Sequence, residues 1–172
     1  MTRRALLAAA AVPAVAPFLF ALRARAGAGS ETLAPLLGAP HWLGLRPGAA
    51  SLRGKVVLVD VFTFDCINCK HVIPSLRTLH ARGEPDLVVL GVHTPETGYE
   101  RDAAHVKAAF AAQGVAWPVA IDNDETLWNA YGITAWPTQL IFDRKGRLRS
   151  TVIGEGNDAA VAATIAELLA ER

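Results

Sequence analysis

Seven consecutive residues, Val56-Val57-Leu58-Val59-Asp60-Val61-Phe62, hold six apolar side chains around one carboxylate, and four of the six are valine. An apolar run this short and this rich in β-branched residues reads as a strand covered on both faces, so it belongs in the middle of a sheet. The run feeds directly into Thr63-Phe64-Asp65-Cys66-Ile67-Asn68-Cys69-Lys70, which carries the only two cysteines of the chain at the spacing C-x-x-C. The chemistry is therefore expected at the end of that strand.

Elements follow the strand in a regular alternation. Val72, Ile73, Leu76 and Leu79 recur at helical spacing and Arg82-Gly83 supplies a stop, which predicts a helix over Ile67 to Ala81 with Pro74 as a kink. Leu87 to His93 is a second buried strand, Asp102 to Gln113 an amphipathic helix ended by Gly114, and Trp117 to Ile121 a short third strand. Asp122-Asn123-Asp124 can cap a helix running to Ala130. Gln139 to Phe142, the turn Asp143-Arg144-Lys145-Gly146 and Leu148 to Ile153 read as a hairpin, and a last helix starts at Asn157 or Asp158 and ends near Ala170. Right-handed crossovers make the first three strands parallel, with the hairpin antiparallel at one side. The expected fold is α/β, a central mixed sheet with helices on both faces.

Upstream of this unit the chain changes character. Residues 1–26 open with Thr2-Arg3-Arg4, continue as an alanine-rich apolar stretch and close on Ala24-Arg25-Ala26, the pattern of an export signal cleaved after Ala26. The arginine pair resembles the twin-arginine type. A retained membrane anchor is the competing reading, because the apolar stretch approaches the ~20 residues that span a bilayer. Without the four arginines of that segment, 13 basic groups face 16 acidic ones, a net charge of −3. No basic face is left for a nucleic-acid partner. Gly27 to Leu52 is rich in Gly, Pro and Ala and is expected to lie over the core as an irregular or short-strand arm, within a domain spanning 27–172.

From Gly54 to Gly154 these motifs give the chain a family likeness. It resembles the thioredoxin-like superfamily, and within it the exported TlpA/ResA-like thiol-disulfide oxidoreductases, closest to the thioredoxin-like domain of DipZ-type proteins. Asp60 stands six residues before Cys66, where thioredoxins place a buried carboxylate, and Pro74 falls at the family's helix kink. Tyr131-Gly132-Ile133-Thr134-Ala135-Trp136-Pro137-Thr138 matches the segment holding the cis-proline opposite the active site. The Asp102 to Gln113 helix with its strand looks like the insertion that marks TlpA-like proteins. Cys66-Ile67-Asn68-Cys69 and Val92-His93-Thr94-Pro95-Glu96 are similar to the DipZ-type group, while Asp65 replaces an aromatic residue before the first cysteine.

The resemblance implies a protein of the periplasm or another extracytoplasmic space that exchanges a Cys66-Cys69 disulfide with protein thiols and disulfides of the cell envelope. It needs no cofactor, and a separate oxidoreductase supplies its electrons. A helix N-terminus favours a thiolate, so Cys66 is the expected nucleophile and Cys69, one turn later, resolves the mixed disulfide. Asp60 is the candidate base for Cys69, and Ala135, Trp136 and Pro137 are the candidate partner-binding wall. Lys70 is read as a solvated helix charge able to offset Asp65. His93 and Glu96 either line the site or sit on surface loops.

The main alternative is a thiolate metal-binding protein of copper-chaperone type on the same fold. Cys66, Cys69 and His71 supply three soft ligands, yet a zinc site wants a fourth and no second C-x-x-C exists. Copper chaperones on this fold carry C-x-x-x-C, one residue longer, so no metal ligands are assigned. A purely structural disulfide would close too small a loop to restrict the unfolded chain much.

Overall fold

The computed structural model describes residues 29–171; the expected export signal or anchor of residues 1–26 lies outside the described residues. A short helix α1 (Ala34–Gly38), a two-residue strand β1 (Trp42–Leu43) and a one-turn helix α2 (Ala49–Leu52) precede the central strand β2 (Val56–Phe62). Then come α3 (Ile67–Ala81), β3 (Leu87–His93), a 3-10 turn (Gly98–Arg101), α4 (Ala103–Gln113), β4 (Val119–Ile121) and α5 (Thr126–Ala130). The chain ends in β5 (Thr138–Phe142), β6 (Leu148–Ile153) and α6 (Asp158–Ala170).

The six strands lie in the order β1-β4-β3-β2-β5-β6. β2, β3 and β4 are parallel, while β5 runs antiparallel to β2 and β6 antiparallel to β5, as the sequence predicts. Alternation along β2 divides the core. Val56, Leu58 and Phe62 face a cluster built with α3, α4 and α6, and Val57, Val59 and Val61 face one built with α1, α2 and α5. Asp60 falls on the same face as Leu58 and Phe62, the face that α3 covers.

The arm differs from expectation. It is helical at Ala34–Gly38 and Ala49–Leu52, and its one strand joins the sheet through Trp42↔Ala120 and Leu43↔Val119. Its shape comes from tertiary contacts: the Tyr131 hydroxyl accepts from Leu36 N at 3.2 Å and donates to Thr32 O at 3.1 Å. At the other end of the chain, the hairpin turn is set by Asp143, whose carboxylate accepts from Lys145 N and Arg147 N and pairs with the Arg147 guanidinium at 2.8 Å.

Candidate active site

The site is assembled where β2 ends. Cys66 has extended backbone and caps α3, its sulfur accepting from Cys69 N at 3.3 Å. The third of the free N–H groups in the helix's first turn is thereby turned onto the sulfur rather than left to water. Cys66 is partly exposed and Cys69 fully buried, and both are free thiols. Burial pushes the Cys69 thiol far up, the Cys66 hydrogen bond and charge add to that, and the Asp60 carboxylate pushes the same way. The Thr63 backbone amide pulls it down.

Asp60 is wholly buried and neither of its oxygens has a hydrogen-bond partner. Desolvation raises its carboxyl from 3.8 to about 7. Gln139 stands opposite it in the β2–β5 ladder and offsets part of that rise, although the Gln139 amide nitrogen closes no hydrogen bond. On the other side Asp60 is in register with Gly91, where even a Cβ would sit 3.0 Å from the Phe62 ring and a Val119 methyl. A larger residue there would press the Phe62 ring and Val119 aside by a few tenths of an ångström.

The Trp136-Pro137 peptide bond is cis, as the sequence reading expects. Thr138 pairs with Val61, which brings the preceding Pro137 to the sheet end from which Cys66 emerges. Pro137 is buried, its carbonyl accepting from Gly154 N at 2.8 Å. Trp136 is half-buried, packs against Trp128 with ring centroids 4.3 Å apart and a 40° tilt, and donates from Nε1 to Thr94 O at 3.1 Å. It packs against the same apolar cluster as Cys66. Ala135 is half-buried, with its carbonyl accepting from the Thr138 hydroxyl at 2.7 Å.

Lys70, partly exposed on α3, offsets Asp65 as expected, pairing with it at 3.0 Å, and His71 is engaged by Glu155. One expectation needs correction. His93 neither lines the site nor lies on the surface, because it is the last residue of β3 and its inward face packs on Phe62, Phe64 and Phe110. Burial drives its imidazole down to about 4 against the pull of Glu100. Glu96 alone of that pair is exposed.

Sequence reasoning missed a polar cluster under the loop before Cys66. Glu100 is buried, and its carboxylate accepts from the Thr63 hydroxyl, from Asp65 N at 3.3 Å, and from Glu96 N and Thr97 N at 2.9 and 2.8 Å. Burial alone would raise it, but the Thr63 hydroxyl and those amides outweigh burial and hold it below the usual carboxylate range. The one available signal was Thr97-Gly98-Tyr99-Glu100, a capping box in sequence and in structure. The α4 residue Gln113 adds a bond to Phe64 O at 2.8 Å.

A family profile described as thioredoxin-like matches residues 54–148, more than half of the chain. The chain belongs to the thioredoxin-like family. Within it, the chain is 36% identical over 143 residues to protein DipZ of Mycobacterium tuberculosis, covering 80% of this chain and 21% of DipZ. The chain thus spans about a fifth of the length of that relative. Thiol-disulfide oxidoreductase YkuV of Bacillus subtilis is 25% identical over 142 residues, 82% of this chain and 96% of YkuV. Among solved structures, a thiol-disulfide isomerase from Corynebacterium glutamicum superposes with a TM-score of 0.69 at 25% identity, covering 78% of this chain and 94% of that one.

Proposed function

We propose that this thioredoxin-like chain is an exported thiol-disulfide reductase, which passes two electrons from the Cys66-Cys69 dithiol to disulfides of envelope proteins and is re-reduced by a separate oxidoreductase. The observation that carries the reading is a half-exposed sulfur capping α3, backed by a buried thiol and an unpartnered carboxylate that titrates near neutrality. Cys66 attacks the client disulfide and Cys69 then displaces the client. Asp60 receives the Cys69 proton. Pro137 and the Ala135 backbone flank the client segment, whose main chain is recognised with little demand on its sequence.

Electrostatics favours the reducing direction. A strongly oxidising pair needs its dithiol form stabilised, chiefly through a thiolate held by nearby positive charge. Here the Lys70 ammonium that follows Cys69 is drawn to Asp65, and the neighbouring His71 imidazole to Glu155. The couple is expected nearer thioredoxin's approximately −270 mV than DsbA's −120 mV or so. Equilibration in dithiol redox buffers, read by thiol alkylation, measures it; a value at the DsbA end overturns the direction. Asp65→Asn releases Lys70 and should raise the potential by about 5–20 mV, the worth of one exposed ion pair.

Metal binding is not the favoured second reading. Among the described residues no group of three His, Cys, Asp or Glu side chains is placed to hold a metal, and His71 is held by Glu155.

Export rests on residues 1–26. Among the described residues no helix is long and apolar enough to cross a membrane. If the twin-arginine route is used, Arg3→Lys with Arg4→Lys leaves the precursor inside the cell, because that receptor reads the arginine pair itself. Normal export of the double variant, followed by fractionation and immunoblotting, would assign the general secretory route instead.

A further inference from the structure

Asp122 makes three hydrogen bonds that the exchange chemistry does not use. It is buried just past the end of β4, and its carboxylate accepts from Leu127 N at 2.8 Å, from Trp128 N at 2.9 Å and from the Thr94 hydroxyl at 2.9 Å. Burial raises its carboxyl above the usual aspartate value against the pull of those donors. A solvent-facing Ser or Asn would satisfy the first turn of α5 without that cost, so the start of the helix does not by itself explain a buried acid here.

Two of the three donors lead to Trp136, by different routes. Thr94 follows β3, and its carbonyl accepts from Trp136 Nε1 at 3.1 Å. The Thr94 N–H is held by Phe62 O at 3.0 Å, and the hydroxyl bond to Asp122 stops the residue turning about that attachment. Trp128 is the other route: its N–H is held by Asp122, and its ring packs against Trp136 with centroids 4.3 Å apart. The two rings meet across the end of the sheet, Trp136 against the cluster that includes Cys66 and Trp128 against the cluster on the opposite face. One carboxylate thus fixes both the polar and the apolar partner of the side chain that stands between Ala135 and Pro137.

We propose that Asp122 is a positioning residue for client recognition, holding Thr94 and Trp128 so that Trp136 keeps the segment Ala135–Pro137 in place beside Cys66. The proposal deepens the reductase reading and rests on it. The step it serves is the first exchange, in which the Cys66 thiolate attacks a client disulfide, the Cys66–client bond forms and the client S–S bond breaks. The departing client sulfur leaves as a thiolate and takes a proton from solvent. The Cys69 thiolate, its proton passed to Asp60, then closes the Cys66–Cys69 bond and frees the second client sulfur in the same way. The dithiol loses two electrons and the client disulfide gains the same two. Asp122 takes no part in these transfers; it acts through the wall along which the client lies.

A residue that sets this wall affects long substrates and spares short ones. Reduced protein is mixed with a disulfide-bonded peptide or with hydroxyethyl disulfide, which is too short to lie along the wall, and quenching by alkylation gives a second-order rate constant for each. Thr94→Val keeps shape and cuts the link to Asp122. It should lower the peptide constant about tenfold, the size of one charge-assisted hydrogen bond, and the small-disulfide constant far less. Asp122→Asn loses at least one of its accepted bonds whichever way the amide faces, and should shift the ratio of the constants in the same direction. Thr94→Val carries the test even where Asp122→Asn fails to fold. Near-UV circular dichroism gives an independent reading, because indoles this close couple: the signal that Trp136→Phe removes should weaken in Thr94→Val. Thr94→Ser, which keeps the hydroxyl, should restore both readouts. An unchanged ratio of the two constants in Thr94→Val, an unchanged dichroism, or failure of serine to rescue overturns the proposal. If the reduced wild type leaves the peptide disulfide intact, the reductase reading itself falls and takes the proposal with it.

Discussion

Turnover is expected to fall to background when Cys69 is replaced by serine, with the protein accumulating as a covalent adduct of its own client. The substitution spares everything that makes Cys66 a nucleophile: the extended cap, the partial exposure and the Cys69 N–H on its sulfur, which belongs to the backbone. Attack on a client disulfide therefore still occurs. A serine hydroxyl cannot displace the client, so the Cys66–client bond persists. Non-reducing electrophoresis of envelope extracts, followed by mass spectrometry of the adducts, reads the outcome and identifies the clients together. Cys66→Ser should yield neither turnover nor adduct, because the remaining thiol is fully buried. Adducts formed through Cys69 in that variant would reverse the assignment of nucleophile and resolver.

The main architecture was legible because the core strands and α3 each show one clear period. Helical spacing of Val72, Ile73, Leu76 and Leu79 marks α3, and continuous apolar runs mark β2 and β3; α3 and β3 keep the expected boundaries, and β2 runs from Val56 to Phe62. The third strand begins two residues later than expected, at Val119, just after Pro118. The arm was not legible for a physical reason. α1 has five residues and β1 two, too few for any period to emerge, and contacts such as Tyr131 with Leu36 and Thr32 hold it from almost a hundred residues away.

At the site, Asp60 stood out because a carboxylate inside an unbroken apolar strand has nowhere to go but inward. Setting His93 at the site or on a surface loop overlooks that it closes the expected strand Leu87 to His93. Carrying the alternation from Val89 through Gly91 puts it on the covered face with Phe62 and Phe110. Glu100 was harder. Its capping-box spacing could announce a turn, but that the same carboxylate reaches Thr63 and Asp65 depends on how the insertion folds back beneath the end of β2, and no local pattern records that.

Asp60→Asn is expected to stabilise the protein while impairing it. In the unfolded chain this carboxyl loses its proton near 3.8, and in the folded protein near 7. Between those values the folded state binds more protons, so stability falls as pH rises through the window and the loss is complete above about 7. A shift of that size corresponds to ~4 kcal/mol. The aspartate penalty is absent below 3.8, and asparagine never acquires it. Urea unfolding should therefore find wild type and variant similar at about pH 4 and the variant several kcal/mol more stable at about pH 8. Function moves the other way. Once ionised, Asp60 can accept the Cys69 proton, so resolution in the wild type should rise with pH through about 7, and asparagine should abolish that rise and slow the step by roughly 10²-fold. A buried charge without hydrogen bonds is a liability that packing alone would remove, and the proton transfer from Cys69 proposed above would account for its place in β2. If the two proteins keep the same stability difference at both pH values, Asp60 does not have the uncompensated burial described, and if resolution keeps its pH dependence in the variant, another group takes the proton.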